Sequence, residues 1–209
     1  MRVLVACEFS GAVRRAFRDL GHDAWSCDLL PAEDGSEFHF TGDVLPHLDG
    51  AWDLMVAFPP CTHLSVSGAR HFAVKRADGR QRGAVDFFMA LAKAPIPKIA
   101  IENPVGIMST QFRKPDQIIQ PNYFGDEFQK TTCLWLKNLP TLLHLAEDDL
   151  FDVKTHVGRG DMVTFKSGKR MTKWMAESFG DGRLRSKTFP GIAAAMAAQW
   201  GGDIRRIVA

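Results

Sequence analysis

The sequence predicts an α/β fold built on a doubly wound, mostly parallel sheet. Three observations predict it. Short apolar runs alternate with helix-spaced runs from Val3 to Leu136, the rhythm of repeated βαβ units. Two apolar runs lead into chemically distinctive segments, Pro59-Pro60-Cys61 and Glu102-Asn103-Pro104, and open α/β sheets keep their ligands at the carboxyl ends of strands. The length of 209 residues suits one α/β domain with a sizeable core, so 1–209 reads as a single domain.

Each element follows from its pattern. Val3 to Cys7 reads as the first strand. Gly11 to Leu20 places Val13, Ala16, Phe17 and Leu20 at helical spacing, and Gly21 ends the run. Ala24 to Cys27 is a second strand, closed by Asp28. Leu54 to Phe58 is the next clear strand, with Gly42-Asp43 in the loops before it. Arg82 to Ala94 shows a helical apolar face of Val85, Phe88, Met89 and Ala92. Lys98 to Ile101 and Thr132 to Leu136 are further strands. After Pro140 the rhythm breaks. Met162 to Phe165 and Arg170 to Trp174 flank Lys166-Ser167-Gly168, which predicts a hairpin. It makes residues 141–182 a small basic insertion. Gly191 to Trp200 is a last helical run.

Composition narrows the function. It is that of an ordinary soluble globular protein, and no apolar run approaches the ~20 residues of a membrane span. Glu8 interrupts the N-terminal run too early for a signal peptide, so a cytoplasmic protein is expected. Cys7, Cys27, Cys61 and Cys133 form no CxxC pair, which argues against zinc. His63 and His71 have no matching carboxylate cluster, so no metal site is predicted. Cys7, Cys27 and Cys133 lie in apolar runs and read as small buried hydrophobes. Cys61 differs, because a Pro-braced turn after a strand presents its thiol as a nucleophile. Glu102 at a second strand end suggests a shared pocket.

The net charge of +2 hides an asymmetry. Lys154 to Lys187 holds nine basic residues against three acidic ones, and Arg70 to Arg82 five against one. Localised positive charge is the footprint of a polyanion partner, although a solvated surface gives the same counts.

Taken in order, these segments resemble the cytosine-5 DNA methyltransferases over nearly the whole length. Phe9-Ser10-Gly11 and the helix after it look like the family's first cofactor motif. Asp28 falls where the family has an acid after the second strand, and Gly42-Asp43-Val44 is similar to its Gly-Asp-Ile. Phe58-Pro59-Pro60-Cys61, with Ser65 and Gly68, resembles its Pro-Cys motif. Glu102-Asn103-Pro104 resembles its Glu-Asn-Val segment. Tyr123-Phe124-Gly125 with Gln129 resembles its Tyr-Gly-x-Pro-Gln segment, and Lys187 to Gln199 its final motif.

The resemblance implies a Rossmann-like sheet, S-adenosylmethionine (AdoMet) as cofactor and DNA as substrate. Cys61, braced by Pro60, would attack carbon 6 of cytosine and so activate carbon 5 for methylation. Glu102, beside Asn103, would hold the ring nitrogen and exocyclic amine, with its carboxyl pKa raised by burial so that it can carry a proton. Phe9, Ser10, Gly11, Asp28, Asp43 and Pro59 would form the cofactor site. Asp28 suits the ribose, about nineteen residues past Phe9. Asp43 suits the adenine amine, or equally a turn cap. Ser65 and Arg70 would sit on a loop that closes over substrate. Gln129, Lys169 and Arg170 would contact the nucleic acid, with Lys166, Lys173 and Trp174 beside them.

Three departures qualify the resemblance. Val13 replaces a family glycine and makes the cofactor loop bulkier. Gln129-Lys130-Thr131-Thr132-Cys133 stands where the family reads Gln-x-Arg-x-Arg. Lys130, or Arg183 or Arg185, is left to replace the arginine that holds the base. The recognition region is also far shorter than the family's. This predicts short sequence specificity or a partner protein that supplies it. It also keeps open a cytidine nucleotide or RNA as substrate, or a degraded nucleic-acid-binding homologue.

Overall fold

The computed structural model describes residues 1–144, 157–165, 167–168, 170–178, 180–182 and 186–202. Seven strands form one sheet: β1 (Arg2–Ala6), β2 (Asp23–Asp28), β3 (His39–Thr41), β4 (Leu54–Ala57), β5 (Lys98–Pro104), β6 (Gln117–Ile119) and β7 (Thr132–Lys137). Their spatial order is β3-β2-β1-β4-β5-β7-β6. The first five pair in parallel, and β7 runs antiparallel to both its neighbours. This is the doubly wound Rossmann-like sheet that the sequence predicts. β8 (Met162–Thr164) and β9 (Arg170–Thr172) form the separate hairpin.

The strands are apolar on both faces because both are covered. Val3, Val5, Leu54, Val56, Ala100, Leu134 and Leu136 point to one side. There they meet Val13 and Phe17 of α1 (Ala12–Asp19) and Ile192, Ala193 and Met196 of the last helix. Leu4, Ala6, Met55, Ala57, Ile99, Ile101 and Trp135 alternate to the other side. There they meet Phe88 and Leu91 of α3 (Arg80–Ala92) and Met108 of α4 (Met108–Gln111). Trp135 meets Phe88 edge to face at 5.3 Å, a geometry that adds about 0.5–1.5 kcal/mol to the area buried. A short α2 (Phe72–Ala77) precedes α3, α5 (Lys173–Glu177) follows the hairpin, and α6 (Pro190–Met196) is the last α-helix, continued by a π turn to Gly201. No helix among the described residues is long and apolar enough to cross a membrane.

Several boundaries differ from the sequence reading. β5 continues through Glu102, Asn103 and Pro104, because those residues pair with Leu134, Cys133 and Thr132 of β7. Glu102 therefore lies within the strand. The hairpin's second strand stops at Thr172, whose hydroxyl accepts from the Met175 amide at 3.4 Å and caps α5. Lys173 and Trp174 are thus helical. Cys7 lies just past β1 in a left-handed conformation (φ 59°) and is half-buried. It is not a fully buried strand residue like Cys27 and Cys133.

Candidate active site

β1 has parallel neighbours on both sides, β2 and β4. The chain builds outward from β1 to β3 and then returns to β4. Such a switch point opens a crevice at the carboxyl ends of the strands. The segments Cys7–Gly11 and Phe58–Cys61 leave the sheet there.

The first segment is tightly organised. Glu8, Phe9 and Ser10 are buried. Gly11 caps α1 with φ 69°, a left-handed conformation that favours glycine, and a Cβ there would also press on the Arg14 and Arg15 guanidinium groups. Arg14 is buried and pairs with Asp34, while its Nη1 donates to Ser26 Oγ at 3.0 Å. Arg15 donates to the Ser10 carbonyl at 3.0 Å and to Asp34 at 2.6 Å. Burial raises the Asp34 carboxyl, but hydrogen bonds from Arg14 and Arg15 outweigh it and hold the pKa at about 2.

The second segment is fixed from the neighbouring strand. Asn103, 1% exposed, donates through Nδ2 to the Pro59 carbonyl at 2.8 Å. The Cys61 carbonyl accepts from the Leu64 and Ser65 amides at 3.0 and 2.9 Å, closing a tight turn. Beyond it Ser65 bridges Gly106, the Val66 amide donates to the Val105 carbonyl, and the Ile107 amide donates to the Leu64 carbonyl. Lys75 Nζ donates to the Thr62 carbonyl at 2.6 Å and Gln81 Nε2 to the His63 carbonyl at 3.3 Å. The thiol-bearing turn is held by β5, by the loop after it, and by α2 and α3. Pro60 is exposed and Cys61 half-exposed.

Glu102 lines a cleft of about 290 Å³ with Phe58, Lys130, Thr132, Thr188 and Phe189. Thr132 Oγ1 donates to Glu102 Oε1 at 2.8 Å. Of the residues proposed to replace the arginines, Lys130 lies in this wall, and Arg183 and Arg185 fall outside the described residues. A second cleft, of about 650 Å³, adjoins it. Ser10, Ala12, Arg15, Trp174, Lys187 and Pro190 line it, and it shares Thr188 and Phe189 with the first. Lys187 is held by Glu33 at 2.7 Å. Cys61 lines neither cleft; its turn stands at the adjacent strand end, three residues past Phe58.

Asp28 and Asp43 gather at the β1–β2 edge, where both act electrostatically on the Cys7 thiol. Each also organises its own turn. Asp28 Oδ1 accepts from the Leu30 amide at 2.9 Å and Asp43 Oδ1 from the Leu45 amide at 3.0 Å. The turn cap considered for Asp43 is therefore present.

The substrate residues are dispersed. Ser65 is buried, and its hydroxyl accepts from the Ser67 amide at 3.3 Å, so it organises the turn rather than an open loop. Arg70 is exposed, with Nε donating to His71 at 2.9 Å. Gln129 is half-buried before β7, and Arg170 is exposed on β9. Lys166 and Lys169 lie outside the described residues.

Sequence reasoning missed four participants. Thr132 read as an ordinary strand residue, because its contact with Glu102 exists only once β7 pairs with β5. Arg14 and Asp34 are twenty residues apart and carry no joint signal. Glu8 left one clue, a carboxylate directly after an apolar strand.

No protein-family profile matches the chain, and no curated protein matches it. Among solved structures, it is similar to a protein described as a DNA modification methyltransferase encoded within a prophage in E. coli. The identity is 14% and the TM-score 0.44, over 65% of this chain and 46% of that one. The chain thus spans less than half of that protein's length.

Proposed function

We propose that the protein is an AdoMet-dependent DNA methyltransferase acting on carbon 5 of cytosine. The observation that carries this reading is the pair of adjoining clefts. They share the Thr188–Phe189 wall, one holds Glu102 and the other Ser10, and the Cys61 turn is fixed to the strand that bears Glu102.

The larger cleft fits the cofactor. Ser10, Arg15, Trp174, Lys187 and Phe189 line it beside the switch point, where open α/β sheets bind nucleosides. Asp28 and Asp43, at the neighbouring strand ends, provide acceptors for ribose and adenine. When bound, AdoMet supplies an electrophilic methyl group on a sulfonium.

The protein's own residues do the rest. The flat apolar walls of the smaller cleft, Phe58 and Phe189, suit a base taken out of the helix stack. Glu102, oriented by Thr132, holds the ring nitrogen and exocyclic amine. Lys130 supplies the cation that the missing arginines would have given. The Cys61 thiolate, its proton lost to water, would bond to carbon 6 as the electrons of the 5,6 double bond move to carbon 5, which would then take the methyl from bound AdoMet with release of the neutral thioether. Loss of the carbon 5 proton to water would then return those electrons to the 5,6 bond and expel the thiolate.

The test is transfer of labelled methyl from AdoMet to duplex DNA, single-stranded DNA, RNA and deoxycytidine monophosphate, with wild type beside Cys61→Ser and Glu102→Gln. Label should enter DNA and vanish in Cys61→Ser, because an alcohol is far less ionised than a thiol. Glu102→Gln should lose turnover by orders of magnitude while keeping cofactor affinity. Label entering RNA or the mononucleotide alone would replace the DNA assignment, and unchanged turnover in Cys61→Ser would remove the nucleophile.

A further inference from the structure

A helix that begins at a switch point ordinarily offers its unpaired first-turn amides to an anion, and dinucleotide sheets place a phosphate there. In this chain the position is already filled from within. Glu8 is 4% exposed. Its Oε1 accepts from the Val13 amide at 2.6 Å and its Oε2 from the Arg14 amide at 3.2 Å. Ser10 Oγ accepts from the Ala12 amide at 3.4 Å and lies 3.5 Å from Glu8 Oε1. The first three amides of α1 thus all have side-chain acceptors. The nearest guanidinium groups are engaged too, Arg14 with Ser26 and Asp34, Arg15 with the Ser10 carbonyl and Asp34. A phosphate reaching α1 would have to displace a buried carboxyl group from two amides and leave it without those hydrogen bonds.

We infer that Glu8 is a specificity-determining residue of the larger cleft: its carboxyl group occupies the phosphate position of the switch point, so the cleft takes a phosphate-free nucleoside cofactor and rejects nucleoside phosphates and dinucleotides. The identity of the ligand rests on the cofactor reading above; the occupied helix end does not.

Two measurements separate these. Calorimetry of the wild type compares AdoMet, adenosine and adenosine monophosphate. Thermal melts compare inorganic phosphate with chloride at equal ionic strength, for wild type and Glu8→Ala. The wild type should bind adenosine monophosphate no more tightly than adenosine and melt at the same temperature in phosphate and chloride. Glu8→Ala should gain a phosphate-dependent rise in melting temperature and about tenfold in preference for the monophosphate. A wild type that prefers the monophosphate or is stabilised by phosphate overturns the inference, as does a Glu8→Ala protein with neither gain. Should Glu8→Ala not fold, Glu8→Ser shortens the side chain so that it vacates both amides while staying polar; the same two shifts are expected, and their absence is equally decisive. If AdoMet and adenosine both fail to bind the wild type, the cofactor reading falls, while the phosphate melts still decide the role of Glu8.

Discussion

Burial raises the Cys7 thiol to about 12, with Asp28, Cys27 and Asp43 adding to it, and raises the Cys27 thiol to about 11. It raises Cys133 as well, with Glu102 adding to it. These three thiols stay protonated near neutral pH, and Cys27 and Cys133 are also fully buried; Cys61, like Cys7, is partly exposed. Iodoacetamide at pH 8 should therefore alkylate Cys61 well ahead of the others, as read by peptide mass mapping; equal labelling of Cys7 would contradict its raised pKa. Asp34 gives a pH dependence of definite sign. Its folded pKa of about 2 lies below the ordinary 3.8, so the ion pairs stabilise the fold above 3.8 and fade as pH falls through about 2. Asp34→Asn should lower the melting temperature at pH 7, and the difference from wild type should shrink on going from pH 4 to pH 2. A constant difference over that range would mean that Asp34 acts by shape rather than charge. Which of these residues were legible followed from how local their signal is. Cys61 and Glu102 announce themselves at the ends of apolar runs. Glu8 and Asp34 take their meaning from partners that only the folded helix α1 supplies.

At the scale of elements, the bridge between the Cys61 turn and the loop after β5 leaves no room at Gly106. A Cβ there would collide with the Leu64 carbonyl oxygen and lie 2.9 Å from its carbon and 3.2 Å from Ser65 Cα, all of it backbone that cannot swing aside. Gly106→Ala should cost roughly 1–3 kcal/mol of stability and displace the thiol, so turnover should fall more than cofactor affinity. Turnover kept at the wild-type level, with a normal melting temperature, would show that the two loops part without consequence. The elements with long, uniform patterns were legible: β1, β2, β4, β7, α1 and α3 all lie within two residues of their expected ends. β3 and β6, three residues each, carry too little pattern to be seen, and they exist because β2 and β7 offer them an edge. β5 outran its apolar stretch for a similar reason, since the reversed β7 supplies partners as far as Pro104.

At the scale of the whole molecule, exposed positive charge stands after the Cys61 turn, on α2 and on the hairpin, as Arg70, Arg76 and Arg170 respectively. Replacing all three by alanine should weaken DNA binding about equally across sequences. It should also flatten the dependence of log K on log salt by roughly one unit for each phosphate no longer neutralised. A weakening confined to one sequence would reassign them to base readout. The wall common to both clefts has a consequence in time. Thr188 and Phe189 follow every strand of the sheet in the chain, and α6 after them covers Val13 and Phe17 near the beginning. A chain made from its N-terminus therefore assembles its sheet with one apolar face covered only in part, by α1, and its clefts still open. Both are completed together, by the same short stretch, only after every strand of the sheet has been made. Until then the newborn polypeptide has an oily flank that invites chaperones, and no chamber in which to do chemistry.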